Sequence, residues 1–310
     1  MGERAGIIVA FTAVYLIWGS TYLAIGVTVA DVPPVFMVAV RGLLAGAVLY
    51  AWARWRGARS VSGPELVAML PTAALLFGGG YVLVGWAEQY VPSGPAALLN
   101  ATTPAWVVLF EWLTRKRQRP ALRFAVALGL GLGGVALLVG GRSSNAGVPV
   151  LPAFALVGAS VAWAAGTMRA RAAAQGDPVR DAAVQLLTGG LLLVPVSLLL
   201  GEGNEVLRGF STSSLLALSY LVTVGSLMGY SAYVWLLHHV PATKVASHAY
   251  VNPLIAVLVG AGLGGEQIYA TTMGAAVLIL ISVFFIVRER AVPSPARESV
   301  QPSPRPRIAA

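Results

Sequence analysis

Among long apolar stretches the chain places one cation, one imidazole, two amides and a set of aromatic rings: Arg41, His248, Asn100, Asn252, Trp18, Trp163, Tyr22, Tyr81, Tyr230 and Tyr250. These types hold a molecule rather than remake it. Aromatic faces stack on apolar or cationic groups for roughly 0.5–2 kcal/mol each, amides donate and accept, and a guanidinium pairs with a carboxylate. Bond-making chemistry has no comparable set. H-E-x2-H, P-loop and G-x-S-x-G patterns are absent, the three histidines and scattered acids form no zinc set, and no cysteine is present to supply a thiolate. Neither a metal nor a cofactor is expected. Gly129-x-Gly131-x2-Gly134 fits a dinucleotide fingerprint in form, but it sits inside a continuous apolar run with no strand before it and is expected to serve packing.

The elements that must carry these residues are set by the solvent. With 57% hydrophobic and 11% charged residues and a mean hydropathy of +0.77, there is too little polar surface to wrap a core in water. A bilayer core takes about 20 apolar residues per helix. Runs of that length predict an all-α integral membrane protein with spans near 6–27, 33–53, 64–86, 93–113, 121–140, 150–170, 181–200, 213–236, 242–262 and 269–287. The first run continues past the length of a signal peptide and lacks its cleavage site, so it reads as a span.

Those spans fall into two sets of five, because one pattern occurs twice. Gly80 to Pro104 and Gly229 to Pro253 both read G-Y-x4-W-x4-V-P-x11-P, the mark of a duplicated unit. An odd number of spans per copy inserts the second copy upside down. The expected domains are a five-helix repeat over 1–145, an inverted second repeat over 146–288, and a Pro-rich disordered cytoplasmic tail over 289–310. Charge agrees with this map. Of the 21 basic residues, Arg142 and Arg208 fall on the side opposite the termini, Arg41 falls inside a span, and all the others fall with the termini. By the positive-inside rule both termini are cytoplasmic. The basic balance therefore reflects topology, and no nucleic-acid partner is expected.

Depth along each span, at about 1.5 Å per residue, puts Trp18 and Trp163 at matching levels near the midplane, one per repeat. They either face a cavity or pack between helices. Tyr81 and Tyr230 fall nearer opposite membrane faces, as gates or as members of an aromatic belt, and Trp86 and Trp235 sit at span ends as belt residues. Arg41 lies roughly 12 Å into its span, where an arginine costs about 2.5–3.5 kcal/mol to insert. It must point inward, to a substrate carboxylate, an internal network or the backbone carbonyls near Gly42 and Gly46. Gly42-x3-Gly46, Gly129-x3-Gly133 and Gly260-x3-Gly264 have the spacing of close helix contacts, within one chain or between the chains of a homodimer.

Pro104 and Pro253 fall mid-span and are expected to kink their helices as hinges, freeing carbonyls near Asn100 and Ala249. Asn100, His248, Tyr250 and Asn252 bring polar groups to these kinks, either for a solute or as bridges between helices. His248 could carry a coupling proton or be an interhelical hydrogen-bonding group. Glu65, Glu88, Glu111 and Glu266 all fall near span ends, so the usual intramembrane carboxylate relay is not expected.

The sequence resembles the EamA family of the drug/metabolite transporter superfamily. The likeness rests on Ile17-Trp18-Gly19-Ser20-Thr21-Tyr22, Arg41, Val91-Pro92-Ser93-Gly94, Tyr250-Val251-Asn252-Pro253 and Gly265-Glu266. It spans both repeats. One departure is that Thr114-Arg115-Lys116-Arg117 stands in the first repeat where the second has Gly-Glu. The resemblance implies a ten-span inner-membrane permease with a cavity between its halves, exporting amino acids or other small metabolites. Its expected partners are a small-molecule solute and the lipid bilayer. The rival is a membrane-embedded enzyme acting on a lipid or lipid-linked substrate, for which clustered carboxylates, a nucleophile with its base, or metal ligands are missing.

Overall fold

The computed structural model describes residues 2–115, 122–140, 148–174, 176–206 and 209–288. The tail 289–310 and the loops holding Lys116, Arg142 and Arg208 lie outside the described residues, as does the side chain of Tyr250. All regular structure among the described residues is helical. The principal helices are α1 (Glu3–Thr28), α2 (Pro34–Trp55), α3 (Gly63–Ala87), α4 (Ser93–Asn100 continued by Thr103–Arg115), α5 (Leu122–Gly140), α6 (Val150–Ala172), α7 (Pro178–Leu199), α8 (Thr212–His239), α9 (His248–Leu263) and α10 (Ala270–Arg288). Seven of them, α1 to α4 and α6 to α8, are long and apolar enough to cross a membrane, while the apolar runs Val126–Gly140, Val251–Leu263 and Ala270–Ser282 are shorter.

Local chemistry starts these helices. Ser62 accepts from the Glu65 amide, Asp177 from the amides of Val179 and Arg180, and Ser211 from that of Ser214, so side-chain oxygens satisfy orphan N–H groups at the starts of α3, α7 and α8. Proline opens α2 at Pro34 and α7 at Pro178, where its missing N–H costs nothing. Leu16, Leu44, Val48, Leu191 and Leu258 are exposed, as expected where lipid is the solvent.

Packing is reciprocal. The first helix α1 lies against α8 and α9, and the sixth helix α6 lies against α3 and α4. The two remaining large contacts pair α2 with α7 and α5 with α10. The α2–α7 seam is held close by glycine: a methyl group on Gly42 or Gly190 would stand 2.6–2.8 Å from backbone atoms of the facing helix. The other two glycine spacings behave differently. Gly129 and Gly133 face open space, and it is Gly131 and Gly134 that meet Ser282 and Ile279 of α10. Gly260 packs on Ser93 and Glu266.

Two features depart from the sequence reading. First, α3 and α8 each contain a π-helical stretch, Ala74–Val82 and Leu221–Tyr230, ending at or next to the repeat tyrosines Tyr81 and Tyr230. Such widened turns favour functional sites because they re-aim side chains. Second, the prolines do not act as a matched pair of kinks. In α4 the helix breaks at Ala101–Thr102 and Pro104 sits in the first turn of the next piece, whereas Pro253 lies within the helix His248–Leu263, behind a break at Ala246–Ser247. A proline is cheapest at the start of a helix, where its N–H is not needed, so the first copy breaks just ahead of its proline.

Candidate functional site

α1, α2, α3, α4, α6 and α9 surround a cavity whose empty space, open mouth included, is about 650 Å³. Trp18, Thr21, Tyr22, Arg41, Tyr81, Asn100, Trp163, His248, Asn252 and Pro253 all line it. Tyr230 and Pro104 do not appear in the lining.

The floor is aromatic. Trp18 and Trp163 meet edge to face with centroids 5.4 Å apart, a favoured geometry for two quadrupoles. Tyr81 stacks on Trp163 at 5.2 Å, and Tyr233 packs against both tryptophans, 4.8 Å from Trp18 and 5.5 Å from Trp163. His248 packs beside Trp18 at 5.1 Å and lies 6.1 Å from Tyr233. The repeat glycines explain how the rings fit. A methyl on Gly80 would lie 2.8 Å from the Trp163 ring, and one on Gly229 would lie 2.8 Å from Trp18 Nε1. Each copy's glycine is the seat for the other copy's tryptophan.

Tyr81 and Tyr230 are not at opposite mouths. Both lean on Phe77, at 5.6 and 5.5 Å, and both approach Trp163, so they belong to one cluster. Axial depth does not fix the direction in which a ring leaves its helix, and both leave from the ends of widened turns. Tyr230 is fully buried and donates to Gln185 Oε1 at 2.7 Å. Its counterpart Tyr81 takes the Arg41 guanidinium over its face, 4.6 Å from the ring centroid.

Arg41 is 2% exposed. Its Nε donates to Ser226 Oγ at 3.3 Å, and its Nη1 has no hydrogen-bond partner. The backbone carbonyls near Gly42 and Gly46 are not what it binds. A buried cation with a spare donor beside a cavity is placed to receive an anion.

The amides form a neutral rim. Asn100 Nδ2 donates to Tyr22 Oη at 2.8 Å while its Oδ1 accepts from Ser160 Oγ at 2.8 Å. The Asn100 carbonyl, exposed by the break in α4, accepts from Thr103 and Ser160 hydroxyls. With its nitrogen turned toward them, the Asn252 amide donates to the carbonyls of Tyr15 and His248, tying α9 to α1. His248 Nδ1 is buried without a partner.

Thr21, Ser160, Gln185, Ser226 and Tyr233 were not anticipated from the sequence. For Gln185 a signal existed: it follows Trp163 at nearly the interval by which Arg41 follows Trp18, so aligning the two copies marks it as Arg41's counterpart. The rest depended on helix rotation.

A family model for EamA-like transporters matches the chain twice, over residues 4–140 and 150–288. The chain belongs to the EamA-like transporter family. Among curated relatives, the uncharacterized inner membrane transporter YedA of Escherichia coli K12 is 34% identical over 283 residues, covering 89% of each chain. An uncharacterized transporter of Archaeoglobus fulgidus is 25% identical over 287 residues, covering 90% of this chain and 96% of its own. A solved crystal structure aligns with a TM-score of 0.64 at 20% identity, over 91% of this chain and 97% of that one, a likeness in fold. This EamA protein is thus a multi-pass inner-membrane transporter.

Proposed function

We propose that the protein is a ten-span permease built from two inverted five-helix halves, residues 1–145 and 146–288, with both termini and the 289–310 tail in the cytoplasm. It exports a small amphipathic metabolite bearing a carboxylate, such as an amino acid, by alternating access. The observation that carries this reading is Arg41: a cation at 2% exposure, with Nη1 unpaired, beside a cavity floored by Trp18 and Trp163. The carboxylate would pair with Arg41 and the apolar part of the solute would lie on the rings. Reciprocal packing of α1 and α6 on the other copy's third and fourth helices supports the inverted arrangement, which gives two conformations of similar energy around one site. Asn100 and Asn252 would orient the solute, and the break at Ala101–Thr102 would let α4 flex.

The test is flux of a panel of labelled amino acids in proteoliposomes, alongside their decarboxylated amines. The expected result is selective flux of the carboxylate-bearing solutes, reduced roughly tenfold or more in Arg41→Ala, since losing a charge-assisted hydrogen bond costs about 1.5–3 kcal/mol. Trp18→Ala is expected to weaken apparent affinity across the panel. Equal flux of acids and amines, unchanged by Arg41→Ala, would sink this reading.

A further inference from the structure

The carboxylate of Glu88 has no place in the cavity lining, yet it is the most isolated acid among the described residues. Glu88 lies in the turn between α3 and α4, near a span end by sequence depth. It is 7% exposed, and both carboxylate oxygens are sealed without a hydrogen-bond partner. Four groups face it. From α1, Gly26 lies beside Oε2 and its backbone weakly favours the charged form, and Tyr22 lies within electrostatic reach. From α2, Arg41 attracts it but gives its Nε to Ser226 and its face to Tyr81. From the α9–α10 turn comes a second carboxylate, Glu266, which accepts from the Ser93 and Gly94 amides at 3.0 and 3.4 Å.

An ionised carboxylate in such a place lacks donors and confronts a like charge, so the neutral acid is favoured. Burial first, and then the Glu266 carboxylate, push the Glu88 carboxyl well above the usual carboxylate range. Glu266 has a structural task that makes this consequential, because it fastens the α9–α10 turn to the start of α4. When Glu88 gives its proton to water, two carboxylates oppose each other across that fastening. The same charge reaches the cavity wall through Tyr22 and Arg41.

We propose that Glu88 is a proton-binding site whose protonation holds the start of α4 to the α9–α10 turn and whose deprotonation releases it. Given the transport reading above, on which this use of the proton rests, the site would tie the opening of that end of the cavity to the proton gradient.

The chain has no cysteine, so a label pair can be introduced cleanly at Tyr90→Cys and Leu263→Cys, exposed positions beside the two turns. The measurement is the spin-label distance in lipid nanodiscs from mildly acidic to mildly alkaline pH. In the otherwise native chain the separation is expected to increase with pH along a single titration. Glu88→Gln, a neutral isostere of the protonated acid, is expected to keep the acid-form distance throughout. Glu88→Asp should retain the transition, and Glu266→Gln should move its midpoint toward acid because the repelling charge is gone. A distance that does not change with pH, or a transition that survives Glu88→Gln, overturns the proposal. The readout needs no solute, so absence of flux for the amino-acid panel would count against the transport reading and not against the proton site.

Discussion

The two ends of the molecule are fastened by different chemistry. At the end bearing Arg59 and Arg180, charged side chains meet one another. Arg180, 2% exposed, reaches the Glu65 carboxylate of α3 at 2.7 Å and also donates to the Arg59 carbonyl. Asp181 lies 3.1 Å from His238 of α8, and Arg171 of α6 donates to the carbonyl of Val240. At the opposite end, carboxylates meet backbone amides. Glu202 accepts from Val35 and Phe36 at the start of α2, Glu266 from Ser93 and Gly94 at the start of α4, and Asp31 from Ser211 before α8.

The contrast shows where movement is cheap. Helix starts offer several N–H groups in a row with a partial positive charge, so an acid can leave one and water can replace it at modest cost. Breaking a buried ion pair strands a charge, which costs far more. The cavity sits toward the amide-fastened end, since Ile25, Val84 and Ala97 line it, and the aromatic floor separates it from the ion pairs. On the proposed transport reading, the end that holds Glu88 is the one expected to loosen.

Three substitutions would break or sharpen this contrast. The largest effect is expected at Arg180. Arg180→Ala leaves Glu65 to Arg59, whose side chain is 60% exposed, and should lower stability by about 3 kcal/mol, read as thermal unfolding in detergent. Adding Glu65→Gln should recover part of that loss. If Arg180→Ala unfolds at the native temperature, the ion-paired end is no stronger than the other. Glu202→Ala comes next. It removes the acceptor of two α2 amides and of the Ser197 hydroxyl, for an expected loss of about 1–2 kcal/mol, as for a helix cap. A loss larger than that of Arg180→Ala would reverse the comparison.

The smallest effect is at Asp31, exposed in the α1–α2 turn. The Ser214 hydroxyl, then the Ser211 backbone amide, hold its carboxyl below the usual range. A carboxyl with a lowered folded pKa adds stability above its unfolded value, about 3.9 for aspartate, and loses it as pH falls through the folded value. Asp31→Asn should therefore cost a slight stability at neutral pH and change little at acid pH, where the native carboxyl is already protonated, so the mutant's stability varies less with pH. A loss at acid pH as large as the loss at neutral pH would mean that Asp31 does more than offer an ionised acceptor.

Part of the site could be read from the chain. Trp18 and Trp163 were paired by depth alone, and they touch. Arg41 had to face inward because lipid would not take it, and it does. Tyr81 and Tyr230 were placed at opposite faces, but depth gives one coordinate and the rings converge by the other two. Glu88 reads as lying near a span end, and that depth does not reveal that the turn it occupies is folded beneath α1. Arg180 and Asp181 gave no sign of burial, since a charge at a helix start normally faces solvent.

What the sequence determined by itself is the solvent, the apolar runs and the duplication. These follow from the length a bilayer demands and from identities that recur at fixed spacing. The tertiary structure alone decided which face of each helix turns inward, where the turns widen, and which acids are buried. A helix that is apolar all round carries no periodic signal of its orientation, so its rotation is set only when close packing against its neighbours selects one arrangement.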